Sequence, residues 1–206
     1  MGDDDLMKTI RVGPASLLVE VEDAATASAL YAEARRRDVD ATDIVPAART
    51  VLFDGVPDVS ALVDQVESWD LEHVEPAPGD VVEVPTTYDG EDLDEIARLW
   101  GMSPEQVVDT HTSTDFVVAF CGFSPGFAYC TGLPEELSVP RLDSPRTKVP
   151  AGSVGLAGEF TGIYPTASPG GWQLIGRTDL ALWDEDAEEP ATLPPGTRLR
   201  FVAVGR

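Results

Sequence analysis

Phe116-Val117-Val118-Ala119-Phe120-Cys121-Gly122-Phe123-Ser124-Pro125-Gly126-Phe127-Ala128-Tyr129-Cys130 marks a change of texture in the chain. Before it, apolar residues recur at helical spacing. From Phe116 onward they come in short runs broken by Gly and Pro, with no helical period, which implies an all-β barrel or sandwich over the C-terminal part. The same stretch holds Gly122-Phe123-Ser124-Pro125-Gly126, a letter-for-letter match to the G-x-S-x-G nucleophile elbow. In that elbow the residue after the serine donates its backbone N–H to the oxyanion, and Pro125 has none. The hydrolase order also needs a histidine after the serine, whereas both histidines, His73 and His111, precede it. Ser124 is not read as a nucleophile.

Working upstream, Leu93, Ile96, Ala97 and Trp100 share a helical face, with Gly101 where a C-terminal glycine belongs. Ser103-Pro104-Glu105-Gln106 then reads as a capping box with proline at the first helical position. The first eighty or so residues read as β-α-β-β-α-β. Leu17–Val21 is a strand, and Ala27, Leu30, Tyr31 and Ala34 mark a helix ending in Arg35-Arg36-Arg37, where cations suit the dipole. Asp43–Val45 and Thr50–Phe53 are short strands, the second closed by Asp54-Gly55. Val59, Leu62, Val63 and Val66 mark a second helix, and Val81–Val84 is read as the last strand. That order is the ferredoxin-like split unit. The expected architecture is therefore α+β: a ferredoxin-like α/β domain over residues 1–82, then a β domain over residues 83–206. Pro76-Ala77-Pro78-Gly79 marks a turn near the edge between them.

Charge narrows the function. Thirty-seven acids against fourteen bases give 14 − 37 = −23, and only Lys8 and Lys148 are lysines. Such a surface repels phosphate backbones and anionic lipid, so no nucleic-acid or membrane-surface role is expected. High acidity with arginine in place of lysine fits a halophilic protein, because strong salt screens self-repulsion. Met1-Gly2-Asp3-Asp4-Asp5 lacks the basic and apolar regions of a signal peptide, and no apolar run is long enough to span a bilayer. A cytoplasmic location follows as an expectation. Cys121 and Cys130 form no zinc-type pair, and no metal site is expected. Gly152, Gly155 and Gly158 recur every third residue, but no phosphate loop of the G-x-x-x-x-G-K-[ST] type exists.

What remains is the segment 123–178. Its bases are Arg141, Arg146, Lys148 and Arg177 and its acids Glu135, Glu136, Asp143 and Glu159, so 4 − 4 = 0, and the rest of the chain carries the whole −23. Four cations kept there point to a site for an anion or polarised carbonyl; pairing with neighbouring acids is the alternative. Ser168-Pro169-Gly170-Gly171 reads as a type II turn delivering Trp172.

Gly122 through Tyr129, Pro140-Arg141, Pro145-Arg146, Val149 through Val154, Ile163-Tyr164-Pro165 and Ser168 through Trp172 to Gly176-Arg177-Thr178 together resemble one family. It is the family called allophanate hydrolase subunit 1, KipI-like, or B-type 5-oxoprolinase subunit, and the likeness extends upstream through His111 and Asp92-Leu93. It implies a small α/β domain followed by a cyclophilin-like β-barrel. It also implies work beside partners: a homologous-looking C-type subunit and an A-type subunit, with ATP and magnesium used by the assembled complex and not held tightly by this chain alone. The activity implied is ATP-dependent hydrolysis of 5-oxoproline, a cyclic amide, to glutamate, with this chain inactive alone. The urea carboxylase or allophanate branch and inhibition of a histidine kinase are the alternatives within the same family. The residues expected at the site are His111 and Arg177 for catalysis. Phe123, Phe127, Tyr129, Arg141, Arg146, Lys148, Ser153, Tyr164, Gly170, Gly171, Trp172 and Thr178 are expected to bind substrate.

Overall fold

The structure is a computed structural model that describes residues 7–71, 74 and 81–205. They fall into two compact units divided between residues 78 and 79. His73, the acidic run at 3–5 and the turn at 76–79 lie outside the described residues.

The first unit contains β1 (Met7–Arg11), β2 (Leu17–Val21), α1 (Ala24–Arg36), β3 (Asp43–Pro46), β4 (Thr50–Asp54) and α2 (Val59–Val66). Its sheet is antiparallel in the order β1-β2-β4-β3. Alternation along β2 buries Leu17, Val19 and Val21, which pack with Leu30, Phe53, Leu62 and Val66. Asp23 and Asp58 cap the two helices by accepting from backbone N–H groups of the first turn. At the other end of α1, Arg36 and Arg37 both donate to buried Glu33 at 2.6 Å, adding ion pairs to the dipole effect. The reading of Val81–Val84 as the last strand of this unit is corrected. The position beside β2 is filled by β1, and Val81 pairs elsewhere.

The second unit contains β5 (Val81–Thr86), α3 (Leu93–Trp100), α4 (Pro104–Ser113), β6 (Phe116–Cys121), β7 (Ala128–Thr131), β8 (Arg146–Val149), β9 (Ser153–Ala157), β10 (Phe160–Ile163), β11 (Ser168–Gly170), β12 (Gln173–Arg177) and β13 (Arg198–Ala203). Seven strands join in the order β12-β9-β10-β7-β6-β13-β5, while β8 and β11 make a separate ribbon. β5 lies parallel to β13, with Val81 opposite Arg198, which is why it leaves the first unit.

The two edges of the seven-stranded sheet meet. Thr87, just beyond β5, exchanges two backbone hydrogen bonds with Arg177 at 2.8 and 2.9 Å. The chain continues along β12, with Gly90 N–H on Ile175 O and Asp92 N–H on Leu174 O. The result is a nearly closed, barrel-like sheet in a mixed α/β protein. Its interior is filled by Val118, Leu156, Ile163, Ile175 and Phe201 and covered by Ile96, Ala97 and Val107 from the helices. Both helix signals of the sequence are present. Gly101 ends α3 in the left-handed region at φ 65°, and Ser103 and Gln106 form a reciprocal capping box with Pro104 at the start of α4. No described helix is long and apolar enough to cross a membrane.

Glycine makes the seam possible. A Cβ on Gly176 would lie 2.5 Å from Thr87 O, and one on Gly90 would lie 2.3 Å from Leu174 O. Gly176→Ala should therefore push the edges apart and cost about 2–4 kcal/mol, as overpacking against immobile backbone does. Gly101→Ala, with no atom within 4 Å, meets only its positive φ and should cost about 1 kcal/mol. Urea unfolding of the two variants tests this: equal losses would mean the seam is not tightly closed.

Candidate functional site

Strand alternation sorts the second unit's residues into two faces. Ala128, Cys130, Leu156, Thr161, Ile163 and Ile175 point inward, whereas Phe127, Tyr129, Gly155, Gly162, Tyr164 and Leu174 point out. On the outer face the aromatics form one cluster. Phe127 meets Trp172 edge-on with centroids 5.3 Å apart, Tyr164 at 5.3 Å, and Tyr129 in a tilted contact at 5.0 Å. Gly155 and Gly162 are the floor beneath Trp172: a Cβ on Gly162 would come 3.0 Å from its ring, and one on Gly155 3.2 Å from its Cβ. Phe123 stands at the rim, 61% exposed, in T-shaped contacts with Phe127 and Tyr164.

The expected turn at Ser168-Pro169-Gly170-Gly171 is corrected. Ser168–Gly170 is a strand, β11, paired with β8, and Gly170 lacks the positive φ that a type II turn requires. Its missing side chain serves packing instead, since a Cβ there would lie 2.3 Å from the Tyr164 hydroxyl. Burial raises the Tyr129 and Tyr164 phenols above their ordinary pKa, and the charge of Arg141 opposes that rise at both.

The four cations of the neutral segment separate. Arg146 donates to both oxygens of Asp92, at 2.8 and 2.9 Å, and to Trp172 O, and lies 3.4 Å from Glu91. Arg177 Nε donates to Asp89 at 2.9 Å, with a largely exposed side chain. Arg177 and Thr178 line a shallow cleft of about 310 Å³ with Pro85, Thr87, Asp179, Leu180 and Val204. Ser153 is buried opposite Arg177 in the ladder. For Arg141 and Lys148 the described residues provide no ion pair.

His111 occupies neither place. It is 0% exposed in the last turn of α4, packed on Phe116 and Phe201. Tyr88 Oη lies 2.7 Å from Nδ1 and Thr161 Oγ1 lies 3.0 Å from Nε2. Thr161 donates to Gly155 O, so its oxygen accepts from Nε2–H and Nδ1 accepts from Tyr88. Burial lowers the pKa of His111 to about 3, so the imidazole is neutral near pH 7. With both nitrogens occupied inside the barrel, its geometry is that of a structural imidazole on a helix.

Residues 7–193 match the family described as carboxyltransferase domain, subdomain C and D. The chain belongs to that family. The B-type 5-oxoprolinase subunit of Escherichia coli O157:H7 is 47% identical over 145 residues, 68% of this chain and 66% of that one. The B-type 5-oxoprolinase subunit of Haemophilus influenzae is 42% identical over 160 residues, 76% of this chain and 75% of that one. The likeness to B-type 5-oxoprolinase subunits read from the motifs is thereby shown. Among solved structures, TTHA0988 is 33% identical with a TM-score of 0.74 over 93% of this chain, which spans 40% of that longer one. The Kluyveromyces lactis urea amidolyase shares the fold, with a TM-score of 0.68 at 20% identity over 98% of this chain and 15% of its own.

Within this carboxyltransferase-family chain, the sequence reading missed the acids at Asp89, Glu91 and Asp92 as partners of the segment's cations. Three acids in four residues were a visible signal, but their partners lie 54 and 88 positions away. It also missed Phe120 and Phe160, which extend the cluster through a 4.3 Å stack with Tyr129 and an edge contact at 5.7 Å.

Two outcomes follow from this geometry. The Arg146–Asp92 pair is mostly buried, at 20% and 12% side-chain exposure, so Arg146→Ala should cost about 3 kcal/mol by stranding a carboxylate. Arg177→Ala breaks an exposed pair and should cost less than about 1 kcal/mol; the reverse order in urea unfolding would refute the assignment. For His111, the folded pKa lies below the ordinary 6.5. The neutral form's contribution is complete above about pH 6.5 and is lost as pH falls from there toward about 3, with a slope of at most ~1.4 kcal/mol per pH unit. In a His73→Gln background, stability should fall between pH 6.5 and 5, and adding His111→Gln should flatten that slope.

Proposed function

We propose that this chain is the B-type subunit of an ATP-dependent 5-oxoprolinase, opening 5-oxoproline to glutamate as part of a complex. The observation that carries the reading is 42–47% identity to curated proteins named as the B-type subunits of 5-oxoprolinases. In this reading the barrel-like sheet is cyclophilin-like. The first unit has a ferredoxin-like layout whose edge strand, β1, comes from the N-terminal side. The complex is a hetero-oligomer with A-type and C-type subunits, cytoplasmic and adapted to high salt, as the −23 charge favours.

A lactam is a poor electrophile, and ATP supplies the energy that makes its carbonyl oxygen a leaving group. The sequence holds no phosphate loop to cradle a triphosphate, and two of the segment's four cations, Arg146 and Arg177, are already engaged by carboxylates. Among the described residues no cluster of His, Cys, Asp or Glu could hold a metal ion. The reading therefore assigns nucleotide and magnesium to the partner subunits and substrate contacts to this chain. The seam cleft of Arg177 and Thr178 and the outer aromatic face are the two places for those contacts.

A second reading is favoured by one observation: a urea amidolyase from Saccharomyces cerevisiae is 31% identical over 127 residues, 54% of this chain and 6% of its own. It would place the chain in a urea- or allophanate-processing assembly.

The purified chain should release no glutamate from 5-oxoproline and ATP, and mixing with the A- and C-type subunits should restore release. Arg177→Ala should then lower turnover about a hundredfold if the seam cleft stabilises transition-state charge, whereas Arg36→Ala should not. Full activity of the isolated chain would overturn the subunit reading. ATP use with urea but not 5-oxoproline would move the urea reading ahead.

A further inference from the structure

We propose that the open face of the first unit's sheet is a docking surface for an amphipathic helix of another protein, one with basic residues along a flank of its apolar ridge.

Helices α1 and α2 pack on one face of that sheet, against Leu17, Val19, Val51 and Phe53. Alternation turns the residues between these to the other face. There the register sets Ile10 opposite Leu18, Leu18 opposite Leu52, and Leu52 opposite Val45. One apolar row thus crosses all four strands. Ile10, Leu18 and Leu52 are partly exposed, and Val45 is exposed. An antiparallel sheet that faces water carries polar residues on its wet side, and single apolar residues there need no explanation. Four in directly opposed positions make a continuous stripe, about 14 Å long at the usual spacing between strands.

The two rims of the stripe differ. On one side Lys8, one of two lysines in the molecule, lies opposite Glu20 and pairs with it at 3.9 Å. Glu20 in turn lies opposite Thr50, so that rim is neutral. On the other side Asp43 stands directly opposite Asp54. Facing carboxylates on adjacent strands destabilise a sheet, and neither has an ion pair among the described residues. Asp54 accepts from the Ser16 hydroxyl at 2.6 Å and Asp43 from the Ile44 N–H at 2.8 Å. Those bonds hold both side chains in place without supplying positive charge. A cation from outside relieves the repulsion, so the acidic rim selects arginine or lysine beside the occupant's apolar ridge.

Size and charge decide against a second copy. Four short strands present on the order of 300 Å², well below the roughly 800 Å² that each partner of a stable dimer contributes. A second copy would also bring its own net charge of −23 to the acidic rim. A helix of about ten residues rises ~15 Å, the length of the stripe, and supplies both ridge and flank.

The test is an NMR titration of the purified full chain with two synthetic amphipathic helical peptides. Both carry the same leucine ridge, flanked by arginines in one and by glutamates in the other. The arginine peptide should bind, with shifts concentrated on the amides of β1–β4 and the methyls of Leu18 and Leu52. The glutamate peptide should bind at least about tenfold more weakly, because the acidic rim repels it. Leu18→Thr and Leu52→Thr keep strand-forming side chains, and each should weaken the arginine peptide about tenfold. Asp43→Asn should raise the melting temperature of the free chain by removing one of two facing charges, yet weaken the arginine peptide. A purely structural residue would change stability and leave affinity alone. Equal affinity for the two peptides, shifts centred away from the sheet, or unchanged affinity in both threonine variants would each overturn the proposal. So would dimerisation of the free chain that Leu18→Thr abolishes, which would give the face to a second copy. Methyl contacts from Leu52 to a segment of the same chain outside β1–β4 would overturn it as well, by showing the face already covered.

Discussion

The carboxylate of Asp92 is the point on which the second unit is hung. One oxygen accepts from Leu174 N–H at 2.6 Å, and both accept from Arg146. The backbone N–H of the same residue bonds Leu174 O, and its carbonyl receives Ile96 N–H at the start of α3. Asp92 thus joins the closing seam, the first covering helix and the β8–β11 ribbon. Through Arg146 and Trp172 O it reaches the aromatic face as well. A mostly buried ion pair is seldom worth much net stability compared with apolar packing. What it contributes here is registration, since a single charged group fixes three elements that share no continuous ladder.

The barrel-like sheet is apolar on both sides for different reasons. The inner cluster is demanded by closure, because a strand's inward residues must exclude water for the sheet to fold. The outer cluster around Phe127 and Trp172 is not, and it packs closely only because glycine stands at 155 and 162. An aromatic surface that requires two flexible glycines in strand interiors is costly to the fold, a cost that closure of the interior does not impose.

Local features were legible in the sequence and distant ones were not. The capping box of Ser103 and Gln106 and the left-handed Gly101 depend on contacts within a turn of helix, and both stand as read. The change to β texture at Phe116 held for the same reason, since alternation is a nearest-neighbour property. Val81–Val84 was legible as a strand but not as a member of its sheet, because its partner is β13. Gly170 was misread as a turn residue because the demand on it comes from the hydroxyl of Tyr164, which returns onto it from the preceding loop, and not from its own dihedral angles. The aromatic members of the candidate site, Phe123, Phe127, Tyr129, Tyr164 and Trp172, do come together. The cations did not form one field, because Arg146 and Arg177 pair with residues 89–92, contacts that composition cannot show.

The parallel pairing of β5 with β13 sets an order of events on the ribosome. Val81 and its partner Arg198 are 198 − 81 = 117 positions apart, so the barrel-like sheet cannot complete until nearly the whole second unit has emerged. Until then β5 presents unpaired backbone and the side chains of Val82 and Val84 to its surroundings, a template for mispairing with other nascent chains. Non-local strand pairing of this kind also places the sheet among the slow folders.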